Sequence, residues 1–275
     1  MAVTAREAVV KGVPMRWEES GSGRPVILVH GIPTSPRLWR HVLPRVVGAR
    51  CLAWEMVGYG GSIAAGRGRD ISVRRQAGYL VDWMGELEID EAIIVGHALG
   101  GGVVQIAAVN HKERCSGLVL ANSIGYDSWP IPSVKAMNAA RGLLASLPLA
   151  VFRALFISFI RRGHDDPIAA REAVDTHWPH YAGADGAAAF ARQVGSLRVQ
   201  DTLEIAPRLP RLRVPTALVW GAADQFQKLR YGVRFAADLG VTLSGIEGGR
   251  HFVPEDHPDE VAAAIARVLA RRGAV

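Results

Sequence analysis

Cysteine is almost absent from this chain. Cys51 and Cys115 are the only two among 275 residues, too few for a disulfide framework and without metal-ligand spacing, so both read as core thiols of a protein kept in a reducing compartment. Lysine is scarce as well. With only Lys11, Lys112, Lys135 and Lys228 present, the net charge of +6 is carried mainly by arginine, and the basic residues lie scattered among acids rather than in runs. That pattern argues against a nucleic-acid partner. A long hydrophobic run is missing too: the most apolar region, Leu143 to Ile160, is broken by Pro148 and Arg153, which excludes a bilayer span. The stretch from Met1 to Glu7 lacks the apolar segment of a secretion signal. These absences together predict a cytoplasmic protein with no membrane partner, present as a monomer or homodimer.

What is present is a hydrophobic content of 49% over 275 residues, enough for one α/β domain carrying an insertion. Residues 7 to 18 read as a hairpin about Lys11-Gly12. Pro25 to His30, Arg50 to Glu55, Glu91 to Val95 and Ser116 to Ala121 are short, continuous apolar runs, the signature of parallel strands covered on both faces. Ser72 to Leu87 has helical spacing at Ala77, Leu80, Val81 and Met84, and Gly102 to Asn110 reads as another helix. From Asn122 the character changes. Residues 123 to 208 give amphipathic helical runs punctuated by Pro130, Pro132, Pro148, Pro167 and Pro179, with no convincing buried strand. Strands resume at Val214 to Asp224 and Val241 to Ile246, and Pro258 opens a final helix with Asp259 and Glu260 in its first turn.

The strand ending at Val95 runs into Gly96-His97-Ala98-Leu99-Gly100-Gly101. A strand, a tight Gly-x-x-x-Gly turn and a helix form a nucleophile elbow, whose strained central residue leaves no room for flanking side chains. That central residue is Ala98, and a methyl group cannot attack anything. The motif resembles the elbow of the α/β-hydrolase superfamily, where the central position holds Ser, Asp or Cys. The segment His30-Gly31-Ile32-Pro33-Thr34-Ser35-Pro36-Arg37-Leu38-Trp39-Arg40 resembles the oxyanion loop of the haloalkane dehalogenases and epoxide hydrolases within it. Met56 to Ser62 resembles the Gly-rich turn of the same superfamily, which usually has Asp where Glu55 stands.

The resemblance implies an α/β-hydrolase fold: a mostly parallel sheet flanked by helices, with 1–122 and 209–275 as the core domain and 123–208 as a helical cap. It implies catalytic positions at Ala98, Asp224 and His251, and an oxyanion hole from the backbone N–H groups of Ile32 and Leu99. The expected activity is hydrolysis of a small, largely apolar substrate through a covalent enzyme intermediate, with Asp favoured at the nucleophile position and this Ala98 form close to inactive. A serine-type esterase or lactonase, a haloalkane dehalogenase and a non-catalytic binder are the alternatives. Leu99 and Ile32 offer no side-chain donor for a halide, so Trp129 or Trp178 would have to supply one; Tyr126 and Tyr181 are the candidates to protonate an opening epoxide. Phe156, with Phe152, Leu155 and Phe159 at helical spacing, is expected to line the underside of the cap. His97 reads as core packing. Asp175, His177 and His180 do not complete a ligand set, because Pro179 interrupts the histidine pair, so neither a metal nor a cofactor is expected.

Overall fold

The computed structural model describes residues 2–271; Met1 and residues 272–275, at the two ends of the expected core, lie outside the described residues. Eight strands form one sheet in the order β1-β2-β4-β3-β5-β6-β7-β8. β1 (Thr4–Val10) and β2 (Val13–Gly21) make the hairpin about Lys11-Gly12, and β2 runs antiparallel to β4 (Ala49–Trp54). β3 (Arg24–Val29), β4, β5 (Ala92–His97), β6 (Cys115–Ala121), β7 (Thr216–Gly221) and β8 (Leu243–Ile246) are parallel. The central members β5, β6 and β7 are buried along their whole length, whereas β2 alternates buried and exposed positions near the edge. Continuous apolar runs and alternating ones therefore sort correctly into covered and half-covered strands.

Helices cover the sheet. α1 (Val73–Glu86) starts where the Ser72 hydroxyl accepts the Arg75 N–H, and it buries Val73, Ala77, Leu80 and Met84. α2 (Leu99–Asn110) follows β5 with no intervening loop. It begins three residues before the expected Gly102, because Gly100 and Gly101 are already helical. Their lack of a side chain has a steric cause: a Cβ on Gly100 would lie 2.1 Å from the carbonyl oxygen of Val29 in β3. Close helix-strand packing here overrides glycine's poor intrinsic helix propensity.

Between β6 and β7 the chain makes an all-helical excursion: α3 (Pro132–Ala139), α4 (Arg141–Ala145), α5 (Leu149–Gly163), α6 (Pro167–His177), α7 (Gly186–Gly195) and α8 (Gln200–Leu203). The stretch read as a cap lies within it. Its interior is aromatic: Phe156 packs on Trp178 and Tyr181 with ring centroids 5.4 Å apart in each case. α9 (Leu229–Leu239) ends at Gly240, whose φ of 66° is the left-handed cap that glycine favours. α10 (Val253–Asp256) and α11 (Pro258–Arg271) complete the chain. Every loop that will matter below leaves the carboxyl end of a parallel strand, the edge at which open α/β sheets bind ligands.

Gly100→Ala should cost about 3 kcal/mol of stability or more, because the new methyl meets backbone that cannot move aside. Urea denaturation followed by circular dichroism checks this; a loss below about 1 kcal/mol would show that α2 can shift away from β3.

Candidate active site

Ala98 joins β5 to α2 with φ 49° and ψ −118°. Alanine reaches this region only under compulsion, at a cost of about 1–3 kcal/mol. The compulsion is visible. The Ala98 carbonyl accepts the N–H groups of Gly101 at 3.0 Å and Ile124 at 3.1 Å, and a Cβ on Gly31 would fall 2.7 Å from the Ala98 methyl. The same imaginary atom would lie 3.4 Å from the Leu99 nitrogen, so the Gly31-Ile32 turn and the start of α2 face each other closely. Leu99 N–H belongs to the first turn of a helix, where no intrahelical acceptor exists.

His30 sets that turn. Its ring is wholly buried, which drives its pKa down to about 3 and keeps it neutral. Nε2 accepts the Met56 N–H at 3.2 Å, so the proton sits on Nδ1 and is donated to the Gly31 carbonyl at 2.8 Å. The Ile32-Pro33 peptide is cis. Glu55, in the place where the resembling family usually has Asp, closes the Gly-rich turn instead: it accepts the Ser62 hydroxyl at 2.6 Å and the Gly61 N–H at 2.9 Å.

Asp224 follows β7 and His251 follows β8. The Nδ1 atom of His251 stands 2.8 Å from Asp224 Oδ2. Burial alone would raise the Asp224 carboxyl, but the His251 ring and the amide of Asn122 outweigh it and hold the pKa below its usual value. An ionised Asp224 can only accept, so the His251 proton shared with it is on Nδ1 and Nε2 is left for the cavity side. Asp224 also accepts the Phe226 N–H at 2.6 Å and the Asn122 amide at 2.5 Å.

Asn122 is a site residue that sequence reading missed. It ends β6 at φ 41°, a conformation asparagine tolerates better than most residues. Its carbonyl oxygen accepts the Gly221 N–H at 3.0 Å, and its amide also donates to the Arg250 carbonyl. One side chain thus links the ends of β6 and β7 to the His251 loop. The signal was present as a lone asparagine closing a buried strand.

His97 proves to be more than packing. Its ring lies 4.7 Å from that of His251, and Nε2 is 2.8 Å from the His251 carbonyl, to which it donates. Complete burial drops its pKa to about 3, so it supports the His251 loop without adding a competing charge. The helical excursion holds the same loop: the N–H groups of His251 and Phe252 both donate to Gly163 at the end of α5, at 2.8 and 3.0 Å. Beneath it lies Glu255, wholly buried and bonded to Arg40, to His164 Nε2 at 3.1 Å and to His177 Nε2 at 3.3 Å. Burial would raise that carboxyl, and these partners instead keep it well below the usual range. His164 moves the opposite way. Burial opposes its charge, yet Glu255 raises its pKa, and as an imidazolium it also donates from Nδ1 to the Ile160 carbonyl at 2.9 Å. His177, weighed above as a metal ligand, bonds Ser35 Oγ from its other nitrogen at 3.2 Å.

The structure brings Ile32, Ala98, Leu99, Trp129 and His251 onto one small cavity of about 50 Å³. Ile124, Val134, Phe159 and Leu197 make the rest of its wall mostly hydrocarbon, and Gln227 adds one amide. The other aromatic candidates lie elsewhere. Phe156 and Trp178 pack within the helical excursion, and Phe159, one turn further along α5, reaches the cavity instead and stacks on Phe226 at 4.7 Å. Tyr181 is fully buried and donates its hydroxyl to Gln193 at 2.9 Å. Tyr126 points its hydroxyl to Asp238 at 2.7 Å under the Arg234 guanidinium. Trp129 does line the cavity, but its indole N–H is given to Thr202 at 2.7 Å. The hydroxyls of Tyr126 and Tyr181 and the indole N–H of Trp129 each have a structural partner, so none of these three is free to meet a leaving group.

A family model described as alpha/beta hydrolase fold matches residues 24–258. The chain is 30% identical over 273 residues to haloalkane dehalogenase 2 of Mycobacterium tuberculosis strain H37Rv, covering 91% of this chain and 90% of that one. It is 24% identical over 276 residues to a soluble epoxide hydrolase of Corynebacterium sp. strain C12, covering 94% of each. Among solved structures, an alpha/beta hydrolase fold protein from Burkholderia ambifaria superposes with a TM-score of 0.88 at 25% identity, over 94% of this chain and 96% of that one.

Two outcomes are expected from this geometry. Ala98→Gly should stabilise the protein by about 1 kcal/mol by relieving the elbow, as calorimetry would register; a loss instead would mean that the backbone at 98 is unstrained. Stability should also fall with acid. Glu255 and Asp224 have pKa values lowered from 4.5 and 3.8, so their contribution is present above those unfolded values and is lost as pH drops through the folded ones. Glu255→Gln should cost about 3 kcal/mol at neutral pH and flatten this acid limb; an unchanged limb in pH-resolved denaturation would remove Glu255 as its source.

Proposed function

Because the chain belongs to the α/β-hydrolase fold family, we propose that its site is built to hydrolyse a small, largely apolar substrate through a covalent intermediate at position 98, and that Ala98 holds it in a binding but non-turning state. The observation that carries this reading is the complete surround of a missing group. A buried Asp224–His251 pair, a strained elbow and a turn presenting Ile32 and Leu99 all meet one apolar cavity.

With a carboxylate at 98, the attack would fall on a substrate carbon and form an ester with the enzyme while the bond from that carbon to its leaving group breaks, releasing halide to solvent or, from an epoxide, an alkoxide that takes a proton from water. His251, oriented by Asp224, would take a proton from water through Nε2, and that water would attack the ester carbonyl. The N–H groups of Ile32 and Leu99 would hold the developing oxyanion, and collapse would free the product and restore the carboxylate. The resemblance of the 30–40 loop and the names of the relatives at full length favour Asp. The cavity offers one argument for Ser. Neither a tyrosine hydroxyl nor an indole N–H is free on its wall to support a departing alkoxide or halide, whereas acyl transfer needs only the oxyanion donors and His251. Residues 123–208 are proposed as the cap that closes the cavity.

Ala98, Ala98→Asp and Ala98→Ser proteins, assayed on one panel of epoxides, haloalkanes, aryl esters and lactones with halide release followed in parallel, test the reading. Turnover should rise on the order of 10³-fold or more in one of the two restored forms. A rise confined to Asp fixes attack on carbon, and one confined to Ser makes the site acyl-transferring. Silence from all three, with ligand still bound, would make the protein a binder.

A further inference from the structure

Charge is unevenly spread over this chain. Of its net +6, five charges fall between Asp127 and Asp165, where Lys135, Arg141, Arg153, Arg161 and Arg162 meet no Asp or Glu in 37 residues. The rest of the chain has 27 basic and 26 acidic residues. That segment folds as α3, α4 and α5, the first lobe of the helical excursion. None of the five cations is in an ion pair among the described residues. The helices packed on the lobe add few countercharges: α6 holds Glu172, paired to Arg40, and Asp175, and Asp185 at the start of α7 is paired to Arg67. Beside α3, Lys135 and Arg162 join Lys228 and Arg230 along a groove of about 450 Å³ in which Asp127 is the one carboxylate.

The same lobe exposes hydrocarbon. Leu143 is 71% exposed, Leu149 48% and Val151 52%; these are three of the nine large apolar side chains exposed among the described residues, and they fall within nine positions. α5 is apolar on both faces. Phe152, Phe156 and Ile160 are buried on one, while Ala150, Val151, Ala154 and Ser158 are exposed on the other. A surface helix ordinarily turns charged and polar residues to water, but from 149 to 160 α5 has only Arg153 and Ser158.

We propose that this lobe docks on an anionic lipid bilayer, with Leu143, Leu149 and Val151 entering the headgroup boundary and the basic side chains meeting lipid phosphates. No helix among the described residues is long and apolar enough to cross a membrane, and the absence of a spanning run is why the sequence reading predicts no membrane partner. Lying on a bilayer needs no such run. It needs exposed apolar side chains beside cations, both of which the lobe has. A second copy of this chain on the same face would bring like charges together. An acidic protein would satisfy the cations, but single protruding side chains suit a fluid headgroup layer that adapts to them, whereas a protein partner needs a surface shaped to fit. Docking is independent of the reading of position 98. It sets α3 and α5, which supply Val134 and Phe159 to the cavity wall, close to the apolar phase.

Flotation of the whole protein with lipid vesicles measures the docking. Vesicles of phosphatidylcholine with about 30% phosphatidylglycerol should bind it at least about tenfold more tightly than pure phosphatidylcholine at about 0.05 M ionic strength, and about 0.5 M salt should remove most of that preference. Any basic protein shows some attraction to such vesicles, so position decides. Arg141→Gln/Arg153→Gln should weaken binding to the anionic vesicles about 20-fold. Lys112→Gln/Arg208→Gln makes the same change in net charge outside the lobe and should weaken it by less than about twofold. Leu143→Ser/Val151→Ser should weaken it about tenfold with every charge in place. All six residues are exposed, and an unchanged circular dichroism spectrum separates these effects from unfolding. Equal binding to the two vesicles, a preference that survives salt, equal losses from the two charge pairs, or full binding by the serine variant overturns the proposal. No binding to either vesicle overturns it as well and leaves an acidic protein as the partner, and a dimer in sedimentation velocity that the serine pair abolishes overturns it in favour of a second copy.

Discussion

The ionised carboxylate of Glu255 is the constraint on which the site's geometry depends. A charge wholly out of water is tolerable only if its partners are fixed and bonded to it, and here the partners come from distant parts of the chain. Arg40 follows the turn that presents Ile32, His164 and His177 end two helices of the excursion between β6 and β7, and Glu255 itself is in α10, four residues beyond His251. One buried anion therefore sets the spacing between the Gly31-Ile32 turn, the helical excursion and the His251 loop. Gly163 reinforces it by accepting the His251 and Phe252 N–H groups. The excursion is thus part of what holds His251, in addition to supplying Trp129, Val134, Phe159 and Leu197 to the cavity wall.

Against this rigid surround the residue at 98 stands out. The backbone keeps φ 49° although the side chain is a methyl, and strain of this kind persists only where neighbours over-determine it. The neighbours are the parts a nucleophile would need: the close Gly31 turn, the first turn of α2 and the end of β6. His97 and His30 belong to the same support. Both are buried and neutral, and both spend a ring N–H on a backbone carbonyl, at His251 and Gly31 respectively, so they position loops without placing a second cation beside His251.

The cavity shows how side chains of suitable chemistry become unavailable. Trp129, Tyr126 and Tyr181 each have the donor that halide or epoxide chemistry would use, and each gives it to a neighbour, Thr202, Asp238 or Gln193. Buried donors find partners as a rule. The Gln227 side-chain oxygen, an acceptor on a residue that lines the cavity, is among the buried polar atoms that lack a partner among the described residues. The polar side chains on the cavity wall are therefore Gln227 and His251.

The sequence by itself determined the frame. Continuous apolar runs marked β3 to β7, the prolines between 130 and 179 marked the helical excursion, and Gly96 to Gly101 with Asp224 and His251 marked the places where chemistry would sit. These features are local: strand burial, helix punctuation and a strained turn each leave a pattern within a dozen residues. Partner choice is different, because a donor's partner can come from anywhere in the chain. Nothing near Tyr126 announces Asp238, nothing near His251 announces His97 or Gly163, and Asn122 reads as a loop residue until β7 and the His251 loop arrive beside it. α5 makes the same point within one helix. Periodicity put Phe156 and Phe159 on a common apolar face, but only the packed tertiary structure decided that the first meets Trp178 and the second lines the cavity beside Ala98, since period fixes direction about a helix axis and not what lies in that direction.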